Sequence, residues 1–154
     1  PELDYVDMLN NVLPSDIRIL AWCAVDERFD ARFACKYRSY KYLFYRDGMN
    51  LDNIRKAGEL LVGQHDFRNF CKMDVVNVNN FVREITDFSL EPVLPKTSDD
   101  DAENDCDELW CINIKATAFL WHQIRFMMSV LFMVGNGEES YTVVSDLLDI
   151  EKCA

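Results

Sequence analysis

Residues 109–116, LWCINIKA, alternate apolar and polar side chains with a period of two. Trp110, Ile112 and Ile114 fall on one side and Cys111, Asn113 and Lys115 on the other, which predicts a half-buried strand. Residues 37–45, YRSYKYLFY, are rich in aromatic side chains and predict another strand. Alternation there puts Arg38, Tyr40 and Tyr42 on one side and Ser39, Lys41 and Leu43 on the other. Residues 81–93 predict a third strand, with Ile85, Phe88 and Leu90 as packing residues. Residues 17–25 carry apolar side chains at mixed spacing and predict a fourth, buried one. Residues 95–107 break regular structure, and the strands on either side of them suit one long hairpin.

Helical spacing appears elsewhere. Residues 4–13 predict a short helix ending before Pro14. Asn50 or Asp52 can cap a helix that runs to Val62 and stops at Gly63, with Leu51, Ile54, Ala57, Leu60 and Leu61 on its inner face. A long helix is expected from about Ala118 to Val134, stopping at Gly135, and Ser140 is placed to cap a last one over residues 141–150. In GQHDFRNF, residues 63–70, Asp66 is expected to cap a helical turn while Phe67 and Phe70 plug the core. The predicted fold is α+β: a mainly antiparallel sheet of about four strands with helices packed on one face.

At 154 residues and 49% hydrophobic, the chain suits one domain with a real core. Its first residue is Pro1 rather than a start methionine, so an excised piece is expected, and no signal peptide opens it. The net charge of −11 argues at first against a nucleic-acid partner. That charge is concentrated, however. Residues 98–108, SDDDAENDCDE, hold seven acids and no base, whereas residues 1–97 hold thirteen bases and fifteen acids. The run is expected to be a solvated, mobile loop that says little about the partner of the rest. The six cysteines include no CxxC pair and there are only two histidines, so metal-site spacing is absent and free thiols in a reducing compartment are expected.

Arg125 is the only full charge between Ala116 and Gly137. Thr117, His122, Gln123, Arg125 and Ser129 argue against a membrane span there and favour a core helix. A guanidinium cannot shed its proton. If buried, Arg125 must therefore meet a carboxylate, a phosphate or water, since leaving it unpaired costs roughly 3–5 kcal/mol. Ala118, His122, Arg125 and Ser129 share one helical face. Such a stripe is either a satisfied buried network or the wall of a site, and spacing alone does not choose.

Residues 31–46, ARFACKYRSYKYLFYR, carry five bases and no acid, interleaved with aromatics. Bases bind phosphates and aromatics stack on nucleobases. The plainer alternative is a strand with an aromatic core face and a solvated basic face. His65, taken alone, is no evidence for acid–base work.

Three segments, ARFACKYRSYKYLF, GQHDFRNF and IKATAFLWHQIRFMMSVLFMVGNG, resemble in this order the second half of TruA-type tRNA pseudouridine synthases. The run HDFRNFCKMD is most similar to the eukaryotic branch, which acts at tRNA positions 38 and 39. The resemblance implies an isomerase that converts uridine to pseudouridine without metal or organic cofactor. A catalytic aspartate is used to break the N-glycosidic bond, the base turns, and a carbon–carbon bond to the ribose forms, after the target base has left its stack. Tyr40 matches the family's active-site tyrosine, which stacks on the target base and assists removal of the C5 proton. Arg125 matches the arginine that pairs with the catalytic aspartate. Arg32 matches a residue placed to meet RNA. Phe33, Lys36, Arg38, His65, Lys115 and His122 complete the expected RNA contacts.

The aspartate itself belongs to a GRTD-like motif that does not occur here, and the chain is expected to begin after it. The partners implied are tRNA and the N-terminal half of the same enzyme, and an isolated piece is expected to be inactive. Such enzymes often form a homodimer, and no interface for one is legible. An intracellular location, cytoplasm or nucleus, is implied, and no membrane. Phe126 and Ser129 depart from bacterial relatives, which often carry Asn and Gly there. The alternative reading is a non-catalytic RNA-binding α+β module.

Overall fold

A computed structural model describes residues 3–73, 76, 78–93 and 108–152. The chain forms two compact units, Pro1–Cys35 and Lys36–Ala154. The first holds one helix, α1 (Tyr5–Asn10), where the Asp4 carboxylate accepts the Asp7 backbone N–H at 3.0 Å. The expected buried strand at residues 17–25 does not form. That segment is irregular, and Leu20 is 90% exposed. A strand needs a partner for every backbone N–H and C=O. Here the Asn10 side chain takes both groups of Ile19, at 2.7 and 2.9 Å, and mixed apolar spacing offers no single face to bury.

The second unit is a four-stranded antiparallel sheet: β1 (Arg38–Tyr45), β2 (Gly63–Asp66), β3 (Val82–Pro92) and β4 (Leu109–Ala116), in the order β1-β4-β3-β2. The expected hairpin of the two long strands is present. Cross-strand rows fix which side chains share a face: Tyr40–Ile114–Phe88, Tyr42–Ile112–Leu90 and Phe44–Trp110–Pro92. A register shift between Ile85 and Asp87 keeps Ile85 on that same core face, and the Thr86 hydroxyl donates to the Lys115 carbonyl at 3.2 Å beside it. β2 replaces the lost strand, so the count of four stands with a different membership. Within GQHDFRNF, Asp66 does accept the Arg68 N–H at 3.0 Å ahead of a 3₁₀ turn (Arg68–Phe70). Phe67 and Phe70 are fully buried, as their positions predicted.

Helices cover the face that carries those rows. α2 (Leu51–Glu59) is capped by Asn50, whose side chain accepts the Asn53 N–H at 3.0 Å. It buries Ile54, Ala57 and Gly58; a Cβ at Gly58 would run into the Phe88 ring, so glycine permits this close helix–sheet approach. α3 (Gln123–Gly135) buries Gln123, Met127, Met128, Leu131 and Val134, and its Phe132 ring meets Tyr42 and Phe44 at 5.9 and 5.1 Å. α3 starts five residues later than expected, because His122 has a left-handed backbone (φ 61°) that a helix cannot include. α4 (Val143–Leu148) is also shorter than expected. Ser140 bonds the Thr142 N–H at 3.3 Å, one turn ahead of it, and Asn69 donates to the Leu147 carbonyl at 2.9 Å.

No described helix is long and apolar enough to cross a membrane. Among the described residues, Cys23, Cys71 and Cys111 are free thiols. Cys106, Cys153 and all of the acidic run except Glu108 lie outside the described residues. Glu108 pairs with Arg46 at 3.2 Å and accepts the Trp110 indole N–H at 3.2 Å.

Candidate nucleic-acid site

Tyr40 sits on the edge strand β1, in the same row as the buried Ile114. Its face is therefore the helix-covered one, not the open face of the sheet. The cover is uneven. Phe132 of α3 seals Tyr42 and Phe44, whereas Tyr40 meets only the edge-on ring of Phe119 among the aromatic contacts, at 5.2 Å and 85°. That contact fixes the ring plane while Tyr40 stays 46% exposed. Arg38 is half-buried one row further out, beside Ala116.

Phe119 belongs to the turn that leads into α3. The buried Gln123 side chain accepts the Leu120 N–H at 2.8 Å, reaching back as an N-terminal cap does, and its amide lies 3.8 Å from the Met127 sulfur. The Lys72 N–H donates to the Trp121 carbonyl at 3.0 Å. Three exposed or half-exposed aromatic groups, Phe119, Trp121 and His122, are presented on this pinned turn, with the Lys72 ammonium 4.5 Å from the Trp121 ring centre.

Arg125 occupies the first turn of α3 and is exposed. It precedes Phe132 by seven residues, two helical turns or about 10 Å, on the same side of the helix. As Phe132 meets β1 at Tyr42 and Phe44, Arg125 belongs to the Tyr40 end of that helix–strand layer. Among the described residues Arg125 forms no ion pair. The Ser129 hydroxyl donates to the Arg125 carbonyl at 3.1 Å, and His122, Arg125 and Ser129 are all exposed, so this stripe is not a satisfied buried network.

Within the second unit, the other expected contacts separate. Lys115 points to the opposite face of the sheet, where its ammonium lies 4.1 Å from the Tyr37 ring centre. His65 is on β2, three strand spacings or about 14 Å across the sheet from β1; its Nε2 is 3.0 Å from the Val62 carbonyl. Lys36 is exposed ahead of β1. Arg32 and Phe33 belong to the first unit, where the guanidinium lies 5.4 Å from the ring centre. A cavity of about 490 Å³ opens near Arg46, Arg55 and Trp110, at the other end of β1 from Tyr40. Gln123 and Lys72 were not among the expected residues. A lone amide at the head of an apolar helix was the available signal for the first.

Electrostatics beside the site are structural. The Arg68 guanidinium bonds Asp66 at 2.7 and 3.1 Å and holds its carboxyl below the usual carboxylate range; the same bond raises the Arg68 pKa. Burial pushes the Cys71 thiol up. Among the described residues no group of histidine, cysteine and carboxylate side chains is arranged to hold a metal.

What remains at the Tyr40 end is a half-exposed tyrosine, an exposed arginine and an aromatic, basic turn. Residues 57–154 match the family described as tRNA pseudouridine synthase. A tRNA pseudouridine(38/39) synthase of Bos taurus is 43% identical over 98% of this chain, and a probable tRNA pseudouridine synthase of Caenorhabditis elegans is 40% identical over 98%. The chain spans about a third of the length of these relatives, 31% and 37%. A tRNA pseudouridine synthase A of Leptospira interrogans is 30% identical over 91% of this chain, which covers 70% of that protein. The aromatic strand, the HDFRNF turn and the arginine-bearing helix thus belong to one inherited arrangement, and the chain is a member of the tRNA pseudouridine synthase family.

Proposed function

We propose that this chain supplies Tyr40 and Arg125 to an active site that isomerises uridine to pseudouridine in the anticodon stem-loop of tRNA. One observation carries the reading. Tyr40 and Arg125 are both exposed, the Tyr40 ring meets Phe119 in the turn that leads into the first turn of α3, where Arg125 lies, and Arg125 has no ion-pair partner among the described residues. In this reading the missing partner is a carboxylate from the remaining two-thirds of the enzyme. That carboxylate promotes cleavage of the C1′–N1 bond. The uracil then turns over the Tyr40 ring, C1′ bonds to C5, the C5 proton leaves with help from the Tyr40 hydroxyl, and N1 gains a proton. Arg125 holds the carboxylate ionised and aimed. Every group required is a side chain, so no cofactor is invoked. Positions 38 and 39 are the proposed targets, in keeping with the name of the Bos taurus relative.

Tyr40→Phe in the full-length enzyme tests this. The ring remains for stacking while the hydroxyl is lost. Uridine conversion is expected to slow by about 10²-fold or more, the scale of a positioned acid–base group, with tRNA affinity within about threefold. Equal losses in rate and binding would overturn the role.

A further inference from the structure

We propose that Trp121 is a second stacking platform, for the base of a nucleotide flanking the target uridine, and that Lys72 contacts the phosphate of that nucleotide. This rests on the function proposed above and adds a contact that Tyr40 and Arg125 do not provide.

Trp121 is 54% exposed, in contrast to Trp110, which is half-buried with its indole N–H bonded to Glu108. More than half of this residue stays in water, so burial accounts for only part of its place. Its backbone is nonetheless held on both sides. Leu120 before it is bonded to the buried Gln123, and its own carbonyl accepts the Lys72 N–H. The next residue, His122, stays in a left-handed conformation that costs energy in a non-glycine residue. The backbone that carries the ring is thus held before any ligand arrives, with the His122 ring and the Lys72 ammonium beside the indole, which lowers the ordering cost of binding.

The neighbours suit RNA. Phe119, two residues earlier, touches Tyr40; Arg125 follows four residues later, in the first turn of α3. A flipped target base on Tyr40 has lost its own neighbours, so an adjacent base gains from a replacement π-surface. The Lys72 ammonium, 4.5 Å from the ring centre, is a long flexible cation that can move to a phosphate when a base covers the ring.

The test uses the full-length enzyme and an anticodon stem-loop RNA. Trp121→Ala is expected to weaken RNA binding about tenfold, within the range measured for base–aromatic stacking, whereas Trp121→Phe stays within about threefold of wild type. An RNA made abasic at the nucleotide beside the target is expected to lose the same factor with the wild-type enzyme and nothing further with Trp121→Ala. Lys72→Met is expected to flatten the slope of log affinity against log salt by about 0.7, one single-strand phosphate contact. Unchanged binding by Trp121→Ala, or independent losses from Trp121→Ala and the abasic RNA, would overturn the proposal. A melting temperature equal to wild type separates lost contact from lost fold. Conversion of uridine by the wild-type enzyme reports on the underlying function separately from these binding differences.

Discussion

Gln123 offers the sharpest test of how the site is built, because it is fully buried and polar. Gln123→Met keeps the length of the side chain and the apolar packing around Met127, Met128 and Leu131. It removes the acceptor for the Leu120 N–H, now bonded at 2.8 Å. Stranding a buried donor costs about 1–3 kcal/mol, and removing the poorly satisfied Gln123 amide offsets part of that. We therefore expect a net loss of about 1–2 kcal/mol, which lowers the melting temperature of a chain of this size by about 3–6 °C. Gln123→Glu keeps the acceptor and adds a buried charge. Its carboxyl pKa must rise in the folded state, so the variant is least perturbed when protonated. Its deficit then grows by about 1.4 kcal/mol per pH unit as pH rises above about 4.3, until the folded-state pKa is passed. Thermal unfolding of both variants from pH 4 to 8, followed by circular dichroism, measures this. A Gln123→Met melting point within 1 °C of wild type, or a Gln123→Glu deficit that ignores pH, would refute the reasoning.

Two further outcomes follow from the ionisable groups. Asp66→Asn should destabilise the protein by about 1 kcal/mol at pH 7, the scale of a partly exposed ion pair. Because the folded carboxyl pKa is depressed, its stabilisation is present above the unfolded value and lost as pH falls; a difference between Asn and wild type that persists at pH 2 in urea titrations would contradict this. In alkylation at neutral pH read by peptide mass spectrometry, the exposed Cys23 and Cys35 should label well before Cys71, whose thiol is buried and raised in pKa; Cys71 labelling first would oppose the burial described.

The sheet was largely legible because its long strands obey the two-residue period. β4 has the predicted limits, and β3 differs by one residue at each end. β2 was hidden because GQHD is four residues long, begins with glycine and carries no apolar alternation. The false strand at residues 17–25 shows the converse: apolar content without a consistent face does not make a ladder. The head of α3 failed for a different reason. Apolar residues run on from Ala118 at helical spacing, but 118–122 form a turn that Gln123 pins, and the left-handed backbone of His122 ends it. At the site, alternation placed Tyr40 correctly on the side of Tyr42. It could not say that α3 would cover that side and leave Tyr40 at the uncovered end. Spacing likewise left Arg125 between a buried network and a site wall, and its exposure excludes the buried network.

Arg125 is the centre of the account, since the proposed role gives it a carboxylate partner and it forms no ion pair among the described residues. The most direct measurement is single-turnover uridine conversion by full-length Arg125→Met enzyme, with tRNA affinity measured in parallel. The account predicts a rate at least about 10²-fold lower, corresponding to about 3 kcal/mol of lost stabilisation, with tRNA affinity within about threefold. It also predicts a lower melting temperature in the full-length enzyme, but none in the 154-residue chain, where the arginine is exposed. A normal rate and an undisturbed full-length melting temperature would contradict it.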